Sequence, residues 1–336
     1  MAPGVIHTVD PLLRVEQLTA GFDRGGRLLP AVQDVSFTIS AGETVGLVGE
    51  SGCGKTVTAV SIVRLLQRPG RIASGRIVFE GRDLLSLDDD AIRSVRGAGI
   101  GFIFQEPGAA LSPVYTIGDQ IAEAIVAHGQ AGWSEARRRA VELLDAARVP
   151  DAGSRARDYP HQLSGGLRQR VMIAVALACG PRLVIADEPT TALDVTIQAE
   201  ILELLRELRA QRGLAILLIT HDFGVVAQEA DTVAVMYAGR IVEHGRTADV
   251  LRAPRHPYTQ GLLASIPEGF GTGGRLRAIN GLVPSLGHVP PGCAFEPRCP
   301  ARMDRCRSVV PASSTVSGPG EAPHAVHCHL FDACGT

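Results

Sequence analysis

The run Thr44-Val-Gly-Leu-Val-Gly-Glu-Ser-Gly-Cys-Gly-Lys-Thr56 constrains the fold of this chain more than any other segment. Thr44 to Val48 is an apolar stretch of strand length, a glycine-rich turn follows, and Lys55 to Leu66 reads as a helix. Gly49, Gly52 and Gly54 let the backbone wrap an anion with its N–H groups pointing inward. The positive end of the following helix is aimed at the same charge. In this phosphate-loop pattern Lys55 is expected to reach the β- and γ-phosphates of a nucleotide and the Thr56 hydroxyl to ligate Mg²⁺. Ser51, Cys53 and Val57 complete the binding stretch, with Cys53 at a variable position where a small filler suits better than a redox switch. The bland alternative is a turn that binds nothing; a strand before and a helix after argue against it.

Lysine usage points the same way. Of 33 basic residues only Lys55 is lysine. A GC-rich coding sequence explains the bias, because arginine serves wherever a solvated positive charge suffices. A surviving lysine marks a place where a compact ammonium is needed and a planar guanidinium does not fit. A second apolar strand, Leu183 to Ala186, ends in Asp187 and Glu188. Strand ends of a parallel sheet open onto the ligand crevice. Asp187 is expected to hold Mg²⁺ through water, and Glu188 to polarise the attacking water as general base.

The wider pattern is α/β. Ile216 to Thr220 reads as a third strand, and Gln198 to Arg212 as a helix with Ile201, Leu204, Leu205 and Leu208 on one face. Alternating strands and helices imply a mostly parallel sheet covered by helices. From Pro107 to Leu163 the strand signal fades, and Ile117 to His128 and Ser134 to Arg148 read as helices, so a helical subdomain is expected over about 107–164. Past residue 250, Pro, Gly, Cys and His rise and periodicity is lost. This sets a main domain at 1–250 and a loop-rich appendage at 251–336, with Gly269 to Gly274 as a linker. The net charge of -2 gives no basic face for nucleic acid, and Arg137 to Arg139 read as the solvated side of a helix. No signal peptide and no run of membrane-spanning length is visible, so a soluble or peripheral protein is expected, cytosolic by default.

Leu163-Ser-Gly-Gly-Leu-Arg-Gln-Arg170 adds the most specific element, and with it the pattern resembles the ABC ATPase family. The resemblance implies a P-loop NTPase ABC cassette, a RecA-like core with an inserted helical subdomain. It implies head-to-tail pairing with a second ATPase subunit, so that Ser164, Gly165 and Gly166 touch the γ-phosphate of ATP held by the partner's phosphate loop. Gln105, in Phe102-Ile-Phe-Gln-Glu-Pro107, resembles the Q-loop, which senses Mg²⁺ and water and relays to the membrane subunit. Ala192-Leu193-Asp194 resembles the D-loop, and His221, in Ile219-Thr-His-Asp222, the switch histidine that contacts the γ-phosphate. Phe22 is the candidate for stacking on adenine, against ordinary packing.

The tail narrows the resemblance. His256-Pro-Tyr-Thr-Gln-Gly-Leu-Leu263 and Pro291-Gly-Cys-Ala-Phe-Glu-Pro-Arg-Cys299 resemble the extension of peptide-importer ATPases. Ala192 to Ala199 and Val57-Thr58 are similar to the D-type subunit of dipeptide and oligopeptide systems, whereas Cys53 is commoner in F-type loops. The resemblance implies an ATPase at the cytoplasmic face of the cell membrane, working with two permeases and, indirectly, an extracytoplasmic peptide-binding protein. Import of another small solute, such as a nickel chelate, stays open. A translation or repair ABC ATPase fits less well, since the chain has one cassette, no coiled coil and no basic face.

Four cysteines of the tail, Cys293, Cys299, Cys306 and Cys328, admit three readings. Zinc can take four thiolates, though the short Cys-x-x-Cys pairs typical of it are absent. A [4Fe–4S] cluster also takes four, without a ferredoxin spacing here. Free thiols are the third reading, and disulfides are disfavoured in a cytosolic protein. The family resemblance implies the cluster, in a structural role. His327 and His329 are alternative ligands; Cys179 reads as core and Cys334 as incidental.

Overall fold

The computed structural model describes residues 10–265, 279–316 and 322–332. Its strands are β1 (Leu13–Arg24), β2 (Arg27–Ile39), β3 (Thr44–Val48), β4 (Gly70–Phe79), β5 (Arg82–Asp83), β6 (Ile100–Ile103), β7 (Leu183–Asp187), β8 (Ala215–Thr220), β9 (Thr232–Tyr237), β10 (Arg240–Arg246), β11 (Ser314–Thr315) and β12 (Ala325–Val326). They form two sheets, one ordered β2-β1-β4-β5 and the other β11-β12-β10-β9-β3-β8-β7-β6. In the larger sheet β9, β3, β8, β7 and β6 pair in parallel. Strands covered on both faces read as continuous apolar runs, and β3, β7 and β8 are buried throughout. Leu183 and Ile185 of β7 turn to a core shared with β1, β2 and β4, while Val184 and Ala186 turn to the helices on the other face. The register sets Val48 beside Thr220 and Val235, and Asp187 beside Ile219. The residues following β3, β7 and β8 therefore leave the sheet at one edge, where ligands bind in such folds.

Helix boundaries differ from the sequence reading for local reasons. The helix after the glycine turn is Lys55–Ile62, because Arg64 takes a left-handed φ of 53°. The helix expected from Gln198 begins at Val195, where the Asp194 side chain accepts the Ile197 N–H at 3.0 Å, and it ends on Gly213. The helices at Ile117–Ala127 and Trp133–Ala146 pack on Gly165–Ala176, and no strand occurs between 107 and 164. Arg137 and Arg138 lie on the surface in ion pairs with Asp119, Glu135 and Glu142. Cys179 is buried in the helical-side core.

The tail is joined to the main sheet rather than hung from it. Strand β12 pairs with β10, with Glu243 opposite Val326. Tyr258 and Phe295 are fully buried and pack with Val48, Phe223, Val235 and Tyr237 in a third core. Glu243, also fully buried, accepts the Arg255 N–H at 2.6 Å, the His256 N–H at 2.9 Å and His324 Nε2 at 2.8 Å. His256 caps the helix Pro257–Ala264 by accepting the Tyr258 N–H on Nδ1 at 3.0 Å, and burial lowers its pKa to about 4. Beyond that helix, the described residues hold only short 3₁₀ turns and the strands β11 and β12. Gly269 to Gly274 and Cys334 lie outside the described residues.

Candidate nucleotide-binding site

A cleft of about 640 Å³ opens at the carboxyl edge of the parallel strands. Its lining includes Gly49, Ser51, Gly52, Gly54, Lys55, Thr56 and Val57 from the loop and helix start. Two of the glycines are obligatory. A Cβ on Gly49 would sit 2.1 Å from the Met236 carbonyl oxygen, and one on Gly54, at φ 108°, would sit 2.5 Å from that of Ala31. Lys55 Nζ donates to the Gly49 and Glu50 carbonyls at 2.8 and 3.2 Å. The ammonium is thereby fixed among loop dipoles. Cys53 is buried beneath the loop, and desolvation raises its thiol pKa, as suits a filler.

Asp187 is almost wholly buried, and one carboxylate oxygen, Oδ1, has no hydrogen-bond partner. Desolvation raises its pKa; the Thr56 hydroxyl and Lys55 oppose that rise. A buried carboxylate oxygen without a donor is costly unless a cation satisfies it. Asp187 and Thr56 together therefore fit a Mg²⁺ site.

Glu188 follows at φ 48°, in the left-handed region. Its Oε2 accepts Gln105 Nε2 at 3.1 Å and Thr191 Oγ1 at 2.8 Å, and Oε1 lies 3.4 Å from His221 Nδ1. Gln105, Glu188 and His221 all line the cleft. Residues 83 and 33 positions from Glu188 thus meet on one carboxylate. Phe22 lines the same cleft, half-buried, together with Ala31. Thr191 was not anticipated, nor were Leu262 and Leu286, which bring the tail into the cleft wall. A hydroxyl three residues after the carboxylate was a readable turn signal for Thr191; nothing local marked the two leucines.

Residues 32–191 match the family described as ABC transporter, and residues 242–306 the one described as oligopeptide/dipeptide transporter, C-terminal region. The dipeptide transport ATP-binding protein DppD of Bacillus subtilis is 47% identical over 325 residues, covering 96% of both chains. DppD of Escherichia coli is 48% identical over 301 residues, covering 90% of this chain and 92% of its own. A dimeric post-hydrolysis state of the ATP-binding cassette MJ0796, bound to ADP and Pi, superposes with a TM-score of 0.63 at 30% identity over 70% of this chain and 98% of that one. The chain belongs to the ABC transporter family.

As an ABC cassette it has the expected core, and its signature stretch stands apart from its own cleft. Ser164 is exposed and caps the helix Gly165–Ala176, accepting the Leu167 N–H at 3.4 Å. Gly165 is exposed too, and a Cβ on Gly166 would meet Ile197 at 2.8 Å. None of Ser164, Gly165 and Gly166 lines the cleft that holds Lys55. Val195, just past Asp194, is an apolar side chain left 84% exposed.

The cysteine expectation takes a correction. Among the described residues no group of three or more His, Cys, Asp or Glu is placed to hold a metal ion. Cys293, Cys299, Cys306 and Cys328 are free thiols, and burial pushes Cys328 up to about 11. Each of the other three lies near enough to push it further. His329 is committed elsewhere, to Asp332 and the Val309 carbonyl. Desolvation likewise raises the thiols of Cys293 and Cys299.

Proposed function

We propose that this ABC cassette hydrolyses ATP to energise the import of dipeptides or oligopeptides, with the residues of the cleft in the roles their geometry suits. The observation that carries the reading is the set of contacts on Glu188, beside a loop built around the chain's only lysine. Lys55 neutralises charge on the β- and γ-phosphates, and loop amides bind their oxygens. Thr56 and Asp187 are the residues that would hold Mg²⁺, which when bound neutralises phosphate charge. Glu188 takes a proton from the attacking water, while Gln105 and Thr191 hold its Oε2 and leave the other oxygen toward His221. His221 is then placed to follow the γ-phosphate. Phe22 stacks on adenine.

Ser164, Gly165 and the half-buried Gly166 serve the site of a second subunit, a reading supported by the exposure of Ser164 and Gly165 and by the dimeric relative. No described helix is long and apolar enough to cross a membrane. On the peptide-importer reading the chain docks on two permeases at the cytoplasmic face, and Phe104, Val114 and Tyr115, exposed after β6, offer an apolar surface for that contact. Peptide cargo is supported by the tail, whose match is to transporters of that class.

The test is phosphate release by the assembled transporter in vesicles, with and without peptide-loaded binding protein. Peptide should stimulate turnover, and Ser164→Arg in every ATPase subunit should abolish it. Full turnover after that substitution would overturn the paired site, and indifference to peptide would overturn the cargo.

A further inference from the structure

The loop Gly49–Thr56 carries a single acidic side chain, Glu50, and it lines the cleft that must accept a polyanion. A carboxylate there works against Lys55 and the loop amides. Arg298, 248 residues away in the tail, meets it with two prongs: Nη1 to Oε2 at 2.7 Å and Nη2 to Oε1 at 3.0 Å. The guanidinium is held from behind. Nε donates to the Asn280 carbonyl at 2.9 Å, Nη2 also to the Ile279 carbonyl at 3.3 Å, and the group lies over the ring of Tyr237. Only 5% of the Arg298 side chain is exposed. The tail grips the backbone of the same residue too, since Tyr258 Oη accepts the Glu50 N–H at 2.9 Å.

We propose that Arg298 is a positioning residue for ATP binding: by pairing with Glu50 it masks the one negative side chain on the phosphate loop and fixes the loop against the tail. The inference rests on the nucleotide-site reading and deepens it. A planar fork with matched acceptors suits this task in a way a point charge does not. A salt bridge that only stiffened the tail would change melting temperature and leave nucleotide affinity alone. Masking makes a different demand: removing Arg298 must weaken ATP binding, and removing the Glu50 charge as well must restore it.

The experiment measures ATP dissociation constants by displacement of a fluorescent analogue from the purified full chain. The variants are Arg298→Gln, Glu50→Gln, the double variant, Arg298→Lys and a Lys55→Ala control. Unmasking one charge at the rim of an anion site weakens binding by about tenfold. Arg298→Gln should show that loss, and the double variant should recover to within about threefold of the parent. Steady-state kinetics should place the loss in KM more than in kcat. Arg298→Lys should fall between parent and Arg298→Gln. Equal affinity of folded Arg298→Gln and parent would overturn the proposal. So would a double variant as weak as Arg298→Gln. If Arg298→Gln does not fold, Glu50→Gln decides: binding as tight as the parent or tighter supports masking, and weakening beyond threefold rejects it. Parent protein that fails to bind ATP, or Lys55→Ala that binds as well as the parent, would sink the nucleotide-site reading itself.

Discussion

Glu188→Gln separates the chemistry of the cleft from its architecture. The side chain keeps its length, and its remaining oxygen can still accept Gln105 Nε2 and Thr191 Oγ1, which now sit at 3.1 and 2.8 Å from Oε2. The new amide N–H₂ then faces His221 Nδ1, 3.4 Å from the present Oε1, which can accept it as a neutral ring nitrogen. Each polar contact keeps a partner, so folding stability should change by less than about 1 kcal/mol. What disappears is the ability to take a proton from water. General-base catalysis contributes about 10²- to 10⁴-fold, so turnover should fall by that factor, roughly 3–5 kcal/mol of barrier. The assay pairs single-turnover phosphate release with an ATP binding titration on the same preparation. Affinity should hold within about threefold, and paired subunits with intact ATP should accumulate on gel filtration. Turnover within threefold of the parent would refute the assignment of Glu188 as base. Lost binding alongside lost turnover would show that the carboxylate supports the loop instead.

Lys55→Ala removes an ammonium from the heart of the loop. It should raise the ATP dissociation constant by about 30- to 100-fold in an equilibrium titration, the equivalent of one or two charge-assisted hydrogen bonds. His256 supplies a pH dependence. Its folded pKa, about 4, lies below the 6.5 of an unfolded histidine, so the unfolded chain takes up the proton first as pH falls. The stability contribution is present above pH 6.5 and is lost on going down to about pH 4, a change on the order of 3 kcal/mol. His256→Asn keeps a side-chain acceptor for the Tyr258 N–H but cannot titrate. Its urea midpoint should therefore fall less steeply over that window than the parent's.

Much of this architecture was legible because it is local. Thr44–Val48 is bounded as read, since an apolar pentapeptide before a glycine turn has one place to go in a parallel sheet. Lys55, Asp187, Glu188 and His221 sit at the start or end of elements whose apolar runs could be seen, whereas Gln105 was marked by resemblance alone, since β6 was not read as a strand. The ends of helices were less legible: nothing in Arg64 announced its left-handed backbone, which stops the first helix at Ile62. Leu262, Leu286 and Arg298 were invisible as site residues. Their place depends on how the tail folds over the sheet, through the burial of Tyr258 and Phe295, and no spacing in the sequence encodes that. The cysteine spacing matched neither zinc nor a ferredoxin; the cluster was implied by resemblance alone, and resemblance does not aim side chains at one point.

The placement of Ser164 on open surface, away from the cleft of its own chain, has a kinetic corollary. If Ser164 completes the cleft of a second subunit, as proposed, a solitary molecule owns two unfinished halves and no finished centre. Specific activity of the purified chain should thus climb with its concentration, from near zero in dilute solution to a plateau once encounters are saturated. A transporter that tethers two copies side by side escapes that dilution penalty, and can spend nucleotide only where a gate stands ready to use it.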